Sequence, residues 1–218
     1  IEPLFLNELK EEFEKYSDNK AKLEQLLLRL EHLKIFDPAC GSGNFLIIAY
    51  KELRQLEMEI FKRLQALSKD GLIQLSRIKL SQFFGIELDD FAHEVAILSL
   101  WLAEHQMNMK FKATFGNCAP ALPLKSSGNV VCGNSALIDW NDVCKADSQH
   151  EVIILGNPPY LGARNQEQGQ KDEVNHVLGH LDGVNSLDYI SIWFYKGGQY
   201  VANYGGHLGF LSTNSITP

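Results

Sequence analysis

The stretch LKIFDPACGSGNFL, residues 33–46, decides the fold of this 218-residue chain. A short apolar run meets Asp37-Pro38, and the glycine turn of residues 41–43 then leads into a helical pattern that reaches about Leu67. This order predicts a buried strand, a tight turn and a helix. Glycine lacks a Cβ, so backbone N–H groups in such a turn can approach a bound ligand closely. The same turn also serves plain strand-to-helix packing, so it does not define a ligand site by itself.

The alternation of strand and helix continues along the chain. A second apolar run, Gln82–Ile86, ends at Glu87 and precedes a helix from about Asp89 to Met107. A later helix is predicted from Leu187 to about Asn203. Three more runs predict strands, at Asn129–Cys132, Glu151–Leu155 and His207–Ser212. Together these elements predict an α/β fold with a mostly parallel sheet and helices on both faces.

Two segments fall outside this alternation. Apolar residues recur at helical spacing from Pro3 to about Tyr16 and from Lys20 to His32, so residues 1–32 are predicted to form a helical extension. Leu161–Ser186 is rich in Gly, Gln and Asn and has little apolar periodicity, which predicts a mobile loop.

Composition narrows the functional classes. The chain has no apolar stretch long enough to cross a bilayer, and its start lacks the pattern of a signal peptide, so we expect a soluble, cytoplasmic protein without membrane contact. The formal net charge of -7 argues against a strong electrostatic grip on DNA by this segment alone. The chain has four cysteines: Cys40, Cys118, Cys132 and Cys144. They are not spaced in the close pairs of a zinc site, and they are too few for a disulfide-rich secreted scaffold, so we expect reduced thiols and no metal site.

Two polar elements follow predicted strands and are candidates to complete a site with the glycine turn. Glu87 ends the second strand, where a carboxylate can accept hydrogen bonds from two ribose hydroxyls, although such a residue is often only a helix cap. The motif Asn157-Pro158-Pro159-Tyr160 follows the apolar run that ends at Leu155. Its prolines force a rigid, extended backbone, which fixes the Asn side chain and the Pro158 carbonyl at the edge where open α/β sheets bind ligands.

These motifs carry a resemblance to a known family. DPACGSGNFL at residues 37–46, together with NPPY at 157–160, resembles the cofactor and catalytic motifs of the amino-methyltransferases that modify adenine N6 in DNA. With PLFL at residues 3–6 and the helical lead-in, the chain most resembles the methylase portion of single-polypeptide restriction-modification proteins. The resemblance runs from about Leu33 to Ser215 and implies a Rossmann-like fold that uses S-adenosylmethionine (SAM), with residues 33–218 as the catalytic domain.

The resemblance also assigns roles to residues of this chain. The turn would contact the methionine moiety of SAM through Ala39, Cys40, Gly41, Ser42 and Gly43, and Asp37 would face its amino acid end. Glu87 would bind the ribose and Leu88 would lie against the adenine ring. Asn134 stands where many relatives have Asp; an amide oxygen can accept the bond from the adenine amino group without a charge.

The acceptor would be an adenine flipped out of double-stranded DNA. By resemblance, the Asn157 side-chain oxygen and the Pro158 carbonyl accept the two N6 hydrogens, Pro159 keeps the corner rigid, and Tyr160 stacks on the base. The aromatic residues between Leu187 and Tyr195 are expected in the core rather than at a ligand.

Several alternatives stay open. Hydrogen bonds of the same kind could orient cytosine N4, an rRNA guanine or a protein glutamine as the methyl acceptor. A non-catalytic subunit that binds SAM would have the same fold. Cytosine-C5 methylation is disfavoured because it needs a cysteine nucleophile, and the sequence has no Pro-Cys pair. The chain stops at 215–218, soon after the fifth predicted strand, so we expect an incomplete domain without its C-terminal target-recognition region. Such a chain would bind SAM but methylate DNA poorly or not at all.

Overall fold

A computed structural model describes residues 1–68, 74–116 and 129–213. The centre of the fold is a sheet of five parallel strands in the order β3-β2-β1-β4-β5. The strands are β1 (Leu33–Asp37), β2 (Phe83–Glu87), β3 (Asn129–Cys132), β4 (Glu151–Gly156) and β5 (His207–Phe210). The predicted fold class is confirmed, with the sheet parallel throughout the described residues.

Helices cover both faces of the sheet. The described residues form seven α-helices: α1 (Asn7–Lys15), α2 (Lys20–Glu31), α3 (Asn44–Leu67), α4 (Asp90–Phe115), α5 (Trp140–Val143), α6 (Gln168–Leu178) and α7 (Ser191–Tyr204). A π-helical turn, Glu2–Leu6, precedes α1. Within the described ranges, no helix is long and apolar enough to cross a membrane. Cys118 and residues 214–218, on which part of the sequence interpretation rests, lie outside these ranges.

The two faces of the sheet bury separate clusters of apolar side chains. Ile153 and Leu155 of β4 join one cluster with helices α1 to α4, whereas Val152 and Ile154 join the other with α5 to α7. Successive residues of a strand point to opposite faces, so a strand buried on both sides is a continuous apolar run. The run in β4 is therefore the signature of a central parallel strand.

The strand order reverses between β1 and β4, which are neighbours in the sheet. The connection after β1 runs toward β2 on one side, and the connection after β4 runs toward β5 on the other. In open α/β sheets, a crevice opens outside the carboxyl ends of the strands at such a reversal, and ligands bind there. The glycine turn follows β1 and the NPPY motif follows β4, so the topology brings both to this crevice.

The prediction of a mobile loop over Leu161–Ser186 is wrong. This segment contains α6 and two short 3-10 turns, at Ala163–Asn165 and Val184–Ser186. A capping box at Glu167 and Gln170 starts α6, and Val174 and Leu178 are buried on one face. Only three apolar residues, Val174, Val177 and Leu178, mark the helix, and all lie in its last five positions, so its periodicity was too weak to recognise among so many polar residues.

Other boundaries differ from the prediction by smaller amounts. Helix α4 continues beyond Met107 to Phe115, where Gly116 ends it with a left-handed backbone, φ +78°. Helix α7 begins at Ser191 rather than Leu187, and the short helix α5 was not predicted.

A charged pair is buried between α3 and α4. Arg54 is 1% exposed and Glu57 is fully buried, with 3.3 Å between Arg54 Nε and Glu57 Oε2. The Arg54 guanidinium also donates to the Tyr50 hydroxyl at 2.6 Å and to Asn108 Oδ1 at 3.1 Å. The pair therefore has both charge compensation and further hydrogen bonds, which a buried ion pair requires.

Glu57 also fixes the segment that leads to β2. Its carboxylate accepts hydrogen bonds from Ser76 Oγ and the Arg77 backbone N–H, both at 2.6 Å, and from the Ile78 N–H at 3.3 Å. Burial raises the pKa of this carboxyl, and the three donors and Arg54 oppose the rise. Glu57 thus connects the middle of α3 to the chain entering the sheet.

Candidate functional site

The glycine turn after β1 is hydrogen-bonded to the end of β2. Gly41 N–H donates to Glu87 Oε2 at 2.7 Å, and Cys40 N–H donates to the Ile86 carbonyl at 3.1 Å. Gly43, which precedes α3, has φ +83°, and a Cβ there would lie 3.3 Å from Ala96 of α4. The turn therefore needs glycine for its backbone conformation and for its close approach to α4.

Glu87 is half-buried and lies at the carboxyl end of β2. In addition to the bond from Gly41, its Oε1 accepts the Asp89 N–H at 3.0 Å. A carboxylate has about four acceptor directions, so these two bonds leave others for a ligand. Glu87 is therefore held by hydrogen bonds from Gly41 and Asp89 and can still accept a hydrogen bond from a ligand.

Asp37 is fully buried at the end of β1. Its Oδ1 accepts the Ala39 N–H at 3.0 Å, whereas Oδ2 has no hydrogen-bond partner among the described residues. Burial raises the pKa of this carboxyl to about 7; the bond from Ala39 lowers it and the negative charge of Glu87 raises it further. An unsatisfied buried carboxylate oxygen beside a cavity is the kind of atom that a cationic group of a ligand would satisfy.

Gly156, the last residue of β4, packs directly against Asp37. Its φ is +156°, and a Cβ on this residue would lie 2.5 Å from Asp37 Oδ1. No side chain fits there without displacing either the carboxylate or the backbone that leads into Asn157. Gly156 therefore sets the distance between β1 and β4 at the point where the two motifs meet.

Replacing Gly156 with Ala is expected to lower the free energy of unfolding by about 1–3 kcal/mol, because the added methyl overpacks a fixed buried contact. Urea denaturation followed by circular dichroism measures the change. Gly162→Ala is the matched control, since a Cβ there meets no atom within 4 Å and the backbone φ is -55°. Equal denaturation midpoints for the two variants would contradict the assignment.

The NPPY motif forms the corner after β4. The Asn157 side chain is exposed and makes no hydrogen bond to any described residue, so its amide is available to a ligand. Pro158 is buried, and Tyr160 is 49% exposed. The corner presents an amide and an aromatic ring while its backbone is held by packing.

Hydrogen bonds fasten the residue that follows this corner. Leu161 N–H donates to Asp188 Oδ1 at 2.9 Å, and the Leu161 carbonyl accepts from Tyr189 N–H and Gln166 Nε2, each at 3.0 Å. Gln166 is buried and also donates to the Leu187 carbonyl at 2.9 Å. The segment after the motif is thus fixed to the chain preceding α7.

A cavity of about 440 Å³ lies at the carboxyl ends of the strands, between these elements. Its volume falls in the range of roughly 300–1,000 Å³ that is usual for small-molecule sites. Among the residues that line it are seven that the sequence singled out: Ala39, Gly41, Glu87, Leu88, Asn134, Asn157 and Pro159. The glycine turn, the Glu87 carboxylate at the end of β2 and the NPPY motif therefore surround one cavity.

Six of the singled-out residues do not line this cavity: Asp37, Cys40, Ser42, Gly43, Pro158 and Tyr160. Asp37, Cys40, Gly43 and Pro158 are buried behind it, and burial raises the pKa of the Cys40 thiol. In the glycine turn, Ala39 and Gly41 line the cavity whereas Cys40 and Gly43 are buried, and the sequence motif alone does not distinguish these two groups.

The cavity also has lining residues that sequence reasoning missed. Gln170 and Glu173 project from α6, and Tyr189 and Trp193 stand at the start of α7. Trp193 Nε1 donates to the Pro38 carbonyl at 3.2 Å. Tyr189 and Trp193 are buried, as expected for core residues, yet they also form one wall of the site. The only signal for them was their spacing of four along a helical pattern.

Asn134 is held in one orientation. Its Oδ1 accepts the Ala136 N–H at 2.9 Å, and its Nδ2 donates to Glu173 Oε1 at 2.7 Å. The other oxygen of Glu173 accepts from the Tyr189 hydroxyl. A hydrogen-bonded chain therefore connects the loop after β3, helix α6 and the start of α7 across the cavity.

Lys196 of α7 braces the loop after β3 from behind. Its ammonium donates to three backbone carbonyls, those of Ser135 at 2.7 Å, Ala136 at 3.0 Å and Ile138 at 2.6 Å. Burial lowers the pKa of this amine to about 8. These bonds satisfy carbonyls that point away from the cavity, so Lys196 keeps the loop in the shape that presents Asn134.

No group of His, Cys, Asp and Glu side chains within the described ranges is arranged to hold a metal ion. The polar side chains that line the cavity carry amides, hydroxyls, an indole N–H and two carboxylates, those of Glu87 and Glu173. Such a set suits an organic ligand with hydroxyl and amino groups.

Comparisons with known proteins agree on one family. Residues 13–218 match the family model described as the MmeI DNA-methyltransferase domain. The chain is 49% identical to DNA methyltransferase A of Bacillus subtilis over 218 residues, which is 100% of this chain and 25% of that protein. It is 38% identical over 196 residues to a putative type II restriction enzyme and methyltransferase of Methanocaldococcus jannaschii, covering 86% of this chain and 16% of that protein.

A solved structure has the same fold. The Type IIL restriction-modification enzyme MmeI, solved in complex with DNA, matches with a TM-score of 0.87 and 45% sequence identity. The match covers 99% of this chain and 29% of that one. The chain therefore spans less than a third of the length of each of these relatives.

Proposed function

The chain belongs to the family of MmeI DNA-methyltransferase domains, and from that premise we propose that it transfers a methyl group from SAM to the N6 amino group of adenine in DNA, as the methylase portion of a restriction-modification protein. The observation that carries the proposal is the single cavity lined by Gly41, Glu87 and Asn157. In this proposal residues 33–218 form the catalytic domain, and residues 1–32 are a helical extension that packs against α3.

The residues around the cavity fit SAM. Glu87 has free acceptor directions for the ribose hydroxyls, and the turn at Ala39 and Gly41 allows backbone groups to approach the methionine moiety. The unsatisfied Oδ2 of Asp37 lies behind this turn, where the ionised form of the carboxyl would favour an ammonium group at the amino acid end. Leu88 offers an apolar surface to the adenine ring. SAM supplies a methyl group that its sulfonium already activates for transfer.

The residues of this chain would make adenine N6 more nucleophilic and align it with the methyl group. Adenine N6 is a poor nucleophile because its lone pair is delocalised into the ring. The Asn157 side-chain oxygen and the Pro158 carbonyl would accept the two N6 hydrogens, which favours tetrahedral geometry at nitrogen and directs its lone pair toward the methyl group. The free amide of Asn157 supports this role, since no described residue competes for it.

The acceptor base must leave the duplex to reach this corner. Flipping costs a few kcal/mol, and stacking on an aromatic side chain offsets about 1–3 kcal/mol of that cost. Tyr160 is half exposed beside Asn157 and is the residue that we assign to this contact. The acceptor is thus an extruded adenine between Asn157 and Tyr160.

Transfer of labelled methyl from SAM to DNA tests the proposed function. The protein is used in excess over DNA, because a net charge of -7 predicts weak DNA binding by this chain alone and slow transfer. Digestion to nucleosides should give N6-methyladenine as the labelled product. If N4-methylcytosine is the main product, the acceptor is cytosine and not adenine. If only protein or RNA is labelled, the substrate is not DNA. SAM binding without transfer would favour the non-catalytic subunit only if a longer chain with a DNA-recognition region also fails to transfer, since we expect these 218 residues alone to methylate DNA poorly or not at all.

Replacing Glu87 with Ala is expected to weaken SAM binding by about 10- to 100-fold, since a charged acceptor of ribose hydrogen bonds is lost. Isothermal titration calorimetry measures the dissociation constant. Glu94→Ala serves as the control because this exposed carboxylate on α4 does not line the cavity. Equal SAM affinities for the two variants would remove Glu87 from the cofactor site.

A further inference from the structure

The carboxylate of Glu173 has no role in the mechanism derived above. It stands on α6, lines the cavity, and accepts from Asn134 Nδ2 through one oxygen and from the Tyr189 hydroxyl through the other. Each oxygen of a carboxylate has two acceptor directions, so both oxygens keep one that is unused by these bonds. Glu173 is therefore held in place with acceptor capacity left for a ligand.

The pair formed by Glu173 and Asn134 explains why position 134 carries an amide. The contact between the two side chains is 2.7 Å, and it requires Nδ2, a donor, to face the carboxylate. An Asp at 134 would bring two carboxylates into contact, which disfavours ionisation of both. The Asn oxygen, in turn, is directed to the Ala136 N–H. In this chain the negative charge on this side of the cavity thus belongs to α6 rather than to the loop after β3.

Glu87 and Glu173 are the two carboxylates among the lining residues of the described chain. Glu87 adjoins the glycine turn, while Glu173 adjoins Asn134 in the loop after β3. Under the proposed function, with the ribose at Glu87 and the base against Leu88, the edge of the base away from the ribose would face the loop after β3 and α6, which line the same cavity. Adenine presents an amino group on that edge, which donates hydrogen bonds and matches an acceptor that is held in position.

We propose that Glu173 accepts a hydrogen bond from the exocyclic amino group of the cofactor's adenine and so selects an adenine nucleoside over its deaminated form. The inference rests on the proposed function, because it takes SAM as the ligand of this cavity. The charge agrees with this assignment, since SAM carries a net positive charge and meets a carboxylate at both the ribose and the base.

The test compares two ligands that differ at the C6 substituent of the purine and in the hydrogen that N1 gains on deamination. S-adenosylhomocysteine carries the amino group, and S-inosylhomocysteine carries a carbonyl oxygen in its place. Calorimetric titration of the wild-type chain should show that the adenosyl ligand binds about tenfold or more tightly, because a carbonyl facing a carboxylate leaves two acceptors unpaired. This comparison needs no variant, so it does not depend on whether a substitution disturbs folding.

The variant Glu173→Gln should remove most of this preference. The amide retains the shape of the side chain and can donate to the carbonyl of hypoxanthine, so the inosyl ligand should gain affinity while the adenosyl ligand loses about tenfold. Asp172→Asn is the matched control: its exposed carboxylate is on the same helix and accepts only from Gln168 among the described residues, so both affinities should stay at the wild-type values.

The outcomes separate this inference from the proposed function. If the wild type binds neither ligand, the proposed function fails and the inference fails with it. If the wild type binds both ligands equally, or if Glu173→Gln keeps the full preference, the cofactor site stands and the role of Glu173 is overturned. Loss of the preference in Asn134→Ala but not in Glu173→Gln would assign the contact to Asn134 alone.

Discussion

Asn157→Ala is expected to slow methyl transfer to DNA by about 100- to 1,000-fold at saturating SAM, which is the usual effect of removing a group that stabilises the reacting atoms only in the transition state. Affinity for SAM should change by less than about twofold, because the proposed function places Asn157 at the acceptor base and assigns the cofactor to the glycine turn. Single-turnover transfer of labelled methyl, with protein in excess over DNA, measures the rate, and calorimetry measures the affinity.

The control for Asn157 is another exposed amide near the same corner. Asn165 lies in the short turn after the motif and does not line the cavity, so Asn165→Ala should transfer methyl groups at the wild-type rate. A wild-type rate for Asn157→Ala would contradict the assignment. A rate loss that is matched by a loss of SAM affinity would place Asn157 at the cofactor instead of the base.

Glu57→Ala is expected to lower the free energy of unfolding by about 3–5 kcal/mol, because it leaves the buried Arg54 guanidinium without its counter-charge. The variant also removes the acceptor of the bonds from Ser76, Arg77 and Ile78, so the segment entering β2 loses its attachment to α3. Urea denaturation gives the change in stability, provided that the slope of the transition stays constant.

Two further variants of the same helix provide comparisons for the stability loss of Glu57→Ala. Glu59→Ala removes an exposed carboxylate that accepts from Gln55, and its effect should stay within about 0.5 kcal/mol. Glu57→Gln keeps an acceptor but not the charge, so its loss should fall between the other two. A Glu57→Ala effect as small as that of Glu59→Ala would mean that the pair contributes little to folding.

The parallel sheet was predictable because its strands are short apolar runs followed by turn residues. β4 is buried on both faces and has an uninterrupted apolar run, whereas β1 is apolar except for Lys34 and its last residue, Asp37. The strands end where Asp37-Pro38 or Asn157-Pro158 follows. Such runs depend on local composition rather than on distant contacts. The two motifs could be placed at the same edge because carboxyl ends of parallel strands lie together.

Helix α6 was not predictable from the same reasoning. Most of its residues are polar, and its position depends on long-range contacts such as those of Val174 and Leu178 with the cluster that contains α7. Its contribution to the cavity, through Gln170 and Glu173, depends on that position. Tertiary contacts of this kind override weak local patterns and leave little trace in sequence.

The site itself was predicted at the level of motifs rather than of single side chains. Motif reasoning grouped Gly41, Glu87 and Asn157, and these residues do line one cavity. It did not reveal that Glu87 also accepts from Gly41, or that Gly156 packs on Asp37. Those contacts join residues far apart in the chain, and they determine which members of each motif face the ligand.

The bonds at Leu161 have a consequence for how substrate is captured. Asp188, Gln166 and Tyr189 hydrogen-bond to Leu161, so the backbone beyond the NPPY corner is fixed by contacts within the protein itself. Ordering a residue costs about 1–2 kcal/mol in conformational entropy. Here that loss accompanies folding of the protein, so under the proposed function a flipped adenine would bind to a preorganised corner, and the remaining cost would be distortion of the double helix.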